Sequence, residues 1–288
     1  SQFKANRLGK ADQQFMTVLA ELIDEQAKLN AQKQRLVAKY QTVDGQDFLQ
    51  ANDFSQLSES KQSLVADTLR ILTISLSQQQ QVASLIALLD NFQQQAHASA
   101  AINGVEHVLF EQLALFLLEK QLEHDAVLTY QAYIKRDPHS LWSSRFSLAL
   151  ISLAKKHGDH PKVRELQQHY VENFGLSSKF WQQANNSQQQ EVLPQLLQFS
   201  EQHSRRLYAN AQDINKADDR IVAFAGAASW LDTYLTIARL AKTNFQDDFA
   251  KLSIDLLADE FLFADASFEA QQYSQALTSY QGIAYNKE

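Results

Sequence analysis

Only ten of the 288 residues are Gly or Pro, seven of one and three of the other. Tight turns draw on Gly, Pro, Asn and Asp for their unusual φ values and local hydrogen bonds. A sheet of many short strands needs such turns at frequent intervals, so a chain this poorly punctuated has room mainly for long helices. With 45% hydrophobic residues it can fill one large core or two smaller ones. Collagen-like, disulfide-rich and compositionally disordered classes are excluded. The absence of Cys removes disulfides, thiolate zinc sites, thiolate-held iron–sulfur clusters and a cysteine nucleophile.

The net charge of −7 is unevenly spread. Residues 1–41 hold seven Lys/Arg against four Asp/Glu, a local +3, whereas residues 244–288 hold two Lys against eight acids, a local −6. An acidic chain argues against nucleic acid, whose binding is driven by neutralising phosphates. No run of sequence approaches the roughly 20 apolar residues that span a bilayer. The chain begins with Ser and carries no visible signal peptide. It therefore reads as a mature form or an excised fragment, with membrane association only through a removed signal or lipid anchor.

Residues 3–41 read as a long helix, with Phe15, Leu19, Leu22 and Leu29 on its apolar stripe and a polar stretch beyond Leu29. A first helix with a wide solvent face is favoured over an exposed arm or coiled-coil partner. Asp44-Gly45 marks a turn. Residues 57–76 and 78–97 form a helical pair: cap-type residues at Ser58 precede Leu64, Leu69, Ile71 and Leu72, and Val82, Leu85, Ile86, Leu88 and Leu89 make the second face. The Gln78–Gln81 and Gln188–Gln190 runs belong to solvated helix faces. Ala98–Gly104 is a small-residue link.

Residues 107–140 carry the most specific pattern: Phe110, Leu113-Ala114, Leu117, Ala126, Tyr130 and Pro138. Small residues at 114 and 126 let two helices approach closely, Phe110 and Tyr130 fill the space beside them, and Pro138 cannot continue the second helix. Ala264, Ala276 and Tyr280 repeat the register of Ala114, Ala126 and Tyr130. A degraded version covers Phe146, Leu148-Ala149 and Leu153, then a Gly158–Pro161 break, then Val163, Leu166, Tyr170 and Phe174. Further helices are expected over 191–212, 218–242, 247–270 and the final segment.

These spacings match the tetratricopeptide pattern, with Ala114 for its Gly and Leu117 for its Tyr. The stretches Val65–Ser77, Leu113–Pro138, Tyr170–Trp181 and Tyr273–Tyr285, within residues 60–288, resemble tetratricopeptide repeat proteins of the Gram-negative envelope. Those include outer-membrane lipoproteins with BamD-like repeats and repeat proteins beside TonB-type or gliding machineries. The resemblance implies an all-α, right-handed superhelix of antiparallel helix pairs with no sheet, acting as a periplasmic or outer-membrane scaffold without catalysis or cofactor. A cytoplasmic location is the alternative. The organisation expected is an N-terminal arm or first helix at 1–57, a repeat half at 58–175 and a second half at 176–288.

Searches for chemistry end in bland readings. No phosphate-cradling loop, nucleophile elbow or His-Glu-x-x-His occurs. His157, Asp159, His160 and His169 would suit zinc only if they converged; they read as an exposed loop and a helix histidine, and no metal site is expected. Glu119/Glu123 and Asp255/Asp259 are carboxylate pairs at i, i+4, the spacing of a solvated helix face. Arg205-Arg206 would suit a phosphate or carboxylate but reads as surface charge, and Trp142, Trp181 and Trp230 read as core or wedge residues.

A repeat solenoid presents the first helix of each pair to a partner. By the resemblance, groove positions fall at Val108, Glu111, Leu115, Leu118 and Glu119, and again at Ala258, Phe261, Asp265, Phe268 and Glu269. This lining is apolar and acidic, so the expected partner is a basic, amphipathic protein or peptide segment. The rival readings are self-association through residues 3–41, and an enzyme or small-molecule binder on a helical-pair fold. Finally, Gly175 is expected in a left-handed conformation, Gln182–Gln190 is a polar stretch with no apolar period, and Phe180 and Trp181 are expected buried as a wedge at a kink dividing the two halves.

Overall fold

A computed structural model describes residues 2–40 (side chains for 8–29), Phe54, 57–94, 106–244 and 256–285. The Asp44-Gly45 turn, the 98–104 link, the arm beyond Leu29 and residues 247–255 of the expected penultimate helix lie outside the described side chains. All secondary structure among the described residues is helical: α1 (Gln2–Tyr40), α2 (Glu59–Ser77), α3 (Val82–Gln93), α4 (Glu106–Glu119), α5 (Glu123–Arg136), α6 (Leu141–Lys156), α7 (His160–Phe174), α8 (Lys179–Gln183), α9 (Asn186–Gln212), α10 (Ala217–Asn244), α11 (Leu256–Glu269) and α12 (Tyr273–Tyr285). The chain divides into two compact units, residues 1–136 and 137–288. That division falls at the Asp137–Ser140 turn.

In the first unit α1 packs on α2 and α3, and α4 packs on α2, α3 and α5. Met16, Leu19, Leu22 and Ile23 of α1 are buried, so over this stretch α1 is a core helix. Met16, not Phe15, is the fully enclosed residue. The buried stripe of α2 is Val65, Thr68, Leu72 and Leu76; Leu64 and Ile71, expected inside, point to solvent. Arg136, at the end of α5, is held by Glu106 on α4 (2.7 Å) and Asp90 on α3 (2.7 Å), which raises its guanidinium pKa further through the hydrogen bond to Glu106.

In the second unit the packing runs in order along the chain: α6 on α7, α7 on α8 and α9, α9 on α10, α10 on α11, α11 on α12. Three helical hairpins share one turn. At the α4–α5, α6–α7 and α11–α12 connections the amides of Gln121, Gly158 and Gln271 bond the carbonyls of Leu118, Lys155 and Phe268. The next amides, of Leu122, Asp159 and Gln272, reach back to Leu117, Ala154 and Ser267. This is the double bond of a Schellman cap, which requires its closing residue in the left-handed region. Gln121 (φ 61), Gly158 (φ 68) and Gln271 (φ 60) occupy it. Two of the three are side-chain-bearing residues, so these turns form at some conformational cost.

The shared turn fixes the register. Ala114 and Ala126 are fully enclosed in the first hairpin, as are Ala264 and Ala276 in the last. Phe110, Leu113, Leu117 and Tyr130 are buried, Tyr280 is half-buried, and Pro138 lies exposed in the turn after α5. In the middle hairpin Ile151, not Ala149, stands where Ala114 stands in the first, and Val163 replaces Ala126. The sequence register there was two residues off.

Residues 170–199 form one core and not a seam. Tyr170, Phe174, Phe180 and Phe199 stack edge-on or tilted with ring centroids 4.9–5.4 Å apart, joining α7, α8 and α9. Phe180 is buried, as expected; Trp181 is only half-buried at the margin. Gly175 is not left-handed: its φ is −68 and ψ 175. Glycine is needed there for space, since a Cβ would lie 2.4 Å from the Val171 carbonyl oxygen. The helix expected from Glu191 begins at Asn186, where Asn185 and Gln188 exchange reciprocal 3.0 Å bonds as a capping box. It runs 27 residues and carries Pro194 in its interior.

Helix α10 has the length and mean apolar character to cross a membrane, although it contains no unbroken apolar run of that length. Its residues Phe224, Ala227, Ala228, Leu231, Tyr234, Leu235, Ile237 and Ala238 are enclosed in the core of the second unit, where it packs on α9 and α11.

Candidate functional site

The last hairpin carries the most unusual surface. Half of the large hydrophobics that stand exposed among the described residues lie on it: Leu257 (53%), Phe261 (45%), Phe268 (53%), Tyr273 (57%), Leu277 (58%) and Tyr285 (83%). Phe261, Asp265 and Phe268 follow i, i+4, i+7 on α11, and Tyr273, Leu277 and Tyr280 do the same on α12, so each set forms one stripe. The stripes are joined twice. Phe268 and Tyr273 meet edge-on at 5.6 Å, and the Tyr280 hydroxyl donates to the Asp265 carboxylate. The result is a continuous apolar face with one carboxylate near its middle.

The electrostatics of this face are one-signed. Residues 256–285 contain four acids and no Lys, Arg or His. Two of the acids are engaged elsewhere: Asp259 with Arg205 and Glu260 with Arg239 (2.8 Å). Asp265 and Glu269 are left to the open face. Partial burial, then the Asp265 carboxylate, pushes the Tyr280 phenol up to about 12, and burial followed by Asp265 and Glu269 raises Tyr208 of α9. Tyr208 therefore stands within reach of the same carboxylates.

Asp259 anchors the hairpin to the rest of its unit. Its carboxylate is 1% exposed, accepts the Tyr234 hydroxyl of α10 (3.0 Å) and pairs with Arg205 of α9, which also meets Glu201 at 3.0 Å. Burial and the adjacent carboxylate raise the Tyr234 pKa. Arg205 is thus a structural strut. Arg206 points elsewhere and donates to His203 Nδ1 at 2.9 Å.

The expected groove positions fall in both units. On α4, Val108, Glu111 and Leu118 are half-buried, while Leu115 and Glu119 are exposed. On α11, Ala258, Phe261, Phe268 and Glu269 are exposed and Asp265 is half-buried. Sequence reasoning thus placed four members of the hairpin face on α11 and missed Tyr273 and Leu277. Both stand at apolar spacing on the last helix, which is the signal that could have found them.

The other candidates resolve into structure. Asp159 caps α7 by accepting the Lys162 amide at 3.0 Å, while His157, His160 and His169 are exposed. Among the described residues no three His, Asp or Glu converge as metal ligands. Glu119 pairs with its neighbour Lys120, and Asp255 lies outside the described residues. Trp142 packs beneath Arg145 (4.3 Å) and Trp230 against His203 (4.2 Å). No family model, curated protein or solved structure matches the chain.

Proposed function

We propose that this protein is a non-catalytic interaction scaffold that binds a basic, amphipathic segment of a partner protein. The observation that carries the reading is the open face of α11–α12. Contiguous apolar surface of this kind marks an interaction site on a soluble domain, and an amphipathic helix docks on such a face through apolar anchors at i, i+3/i+4 and i+7. Asp265 and Glu269 would receive Lys or Arg, and the Phe261, Phe268 and Tyr273 rings offer cation–π contacts. The partner's charge follows from the lack of any cation on residues 256–285.

The three hairpins with one turn geometry, and the sequential packing of the second unit, support a tetratricopeptide-like arrangement of helix pairs. In that arrangement the first helix of a pair, here α11, would line the binding surface. The assignment to the bacterial envelope rests on the sequence resemblance alone.

The test is fluorescence anisotropy with a synthetic helix of about 20 residues, carrying Leu/Phe at i, i+4 and i+7 and Lys/Arg flanks, against a copy with Glu flanks. The basic helix should bind, and the acidic copy should not. The double variant F261S/F268S should abolish binding, and D265N should weaken it and flatten its salt dependence. Equal binding of both helices, or binding indifferent to all three substitutions, would refute the proposal.

A further inference from the structure

The surface where α7 packs against α9 holds two cations that the scaffold reading does not use. Gln167 Nε2 donates to Gln202 Oε1 at 3.3 Å, placing these positions side by side. The chain turns back between α7 and α9 through the short α8, so one turn earlier on α7 lies opposite one turn later on α9. Those positions are Arg164 and Arg206.

Arg206 is held by a neutral group. Its guanidinium donates to Nδ1 of His203, whose ring is 7% exposed and lies 4.2 Å from that of Trp230. An imidazole that accepts a hydrogen bond carries no charge, so this contact orients Arg206 without compensating it. Neither Arg164 nor Arg206 has an ion pair among the described residues, in contrast to Arg205, which has Glu201 and Asp259. Burial pulls the Arg206 pKa down, and the like charge of Arg164 adds to that shift. Burial and then Arg206 push His203 down to about 4, opposed by Glu172 of α7. Glu172 itself accepts from Gln168 at 2.9 Å.

We propose that Arg164 and Arg206 form an oxyanion site on the α7–α9 face, built for a phosphate group, with His203 and Trp230 as the support that positions Arg206. Two guanidinium forks offer more directed donors than one carboxylate has acceptors, whereas a phosphate dianion can satisfy both. The ligand chemistry is shared by free phosphate and by a phosphorylated partner side chain.

The chain is titrated near neutral pH with sodium phosphate, sodium acetate or sodium chloride at matched ionic strength. The readout is NMR of the arginine Nε groups and the His203 ring. Phosphate should give a saturable response at Arg206 and His203, and the His203 titration should move upward as the Arg206 charge is neutralised. R164Q and R206Q should each weaken phosphate binding by about ten-fold or more, R206K should retain part of it, and R220Q, at an exposed site on α10, should change nothing. A phosphoserine peptide binding more tightly than free phosphate would assign the site to a modified partner, and the reverse to the free ion; both sustain the site. It is overturned by a phosphate response no stronger than that of acetate or chloride, or by binding that survives R164Q in a variant whose spectrum shows native folding.

Discussion

Replacing Asp259 with alanine removes the carboxylate that ties α11 to α9 and α10. The Tyr234 hydroxyl, on a side chain 1% exposed, then loses its acceptor. A buried donor left unsatisfied costs about 1–3 kcal/mol. Arg205 also loses a partner, but its side chain is 45% exposed and keeps Glu201, so this part is screened to roughly 1 kcal/mol or less. The expected destabilisation is therefore roughly 1–4 kcal/mol, read as a shift in the urea midpoint at unchanged slope. Y234F removes only the hydroxyl and should cost about 1 kcal/mol. Combined with D259A it should recover part of the D259A loss, because the orphaned donor is gone from the double variant. Additive losses, or a D259A cost below about 0.5 kcal/mol, would refute the strut.

Four further outcomes follow from the same geometry. Q121G and Q271G should each stabilise by up to about 1 kcal/mol, since glycine removes the left-handed penalty, while G158A should destabilise by about 1–2 kcal/mol; thermal melts check all three. E106Q removes the charge but keeps the hydrogen-bonding shape, and Arg136 keeps Asp90, so it should cost about 1–2 kcal/mol by denaturant unfolding. Acid should weaken the second unit through His203. Its native pKa of about 4 lies below the unfolded 6.5, so the unfolded state binds the proton first. Stability is then full above pH 6.5 and declines as pH falls towards 4, by at most roughly 3 kcal/mol at ~1.4 kcal/mol per pH unit; H203Q should flatten that part of the profile. F261S/F268S should cost roughly 1–3 kcal/mol and leave the chain folded, because each ring is only about half buried.

What the sequence made legible follows from what leaves a local trace. Helix content was readable from the scarcity of Gly and Pro, and the first and last hairpins from the Ala114/Ala126 and Ala264/Ala276 pairs, because close helix approach demands small side chains at fixed spacing. The middle hairpin was misregistered because Ile151 and Val163 fill that approach with bulk, leaving Gly158 as the better anchor. The start of α9 was missed by reading apolar period alone, although Asn185 and Gln188 carry the capping-box signature. Gly175 was assigned the wrong reason: its need comes from the Val171 carbonyl, a contact that composition does not encode. For the candidate site, the acidic and aromatic residues of α11 were visible. The anchoring of Asp259 by Arg205 and Tyr234 was not, because those residues come from three helices far apart in sequence.

Hydrogen–deuterium exchange of the full chain, with and without the basic amphipathic helix, tests the scaffold reading most directly. The account predicts slowed exchange concentrated in α11 and α12, centred on residues 261–277, and lost in F261S/F268S. Protection confined to other helices, or no protection at peptide concentrations that saturate the anisotropy signal, would contradict it.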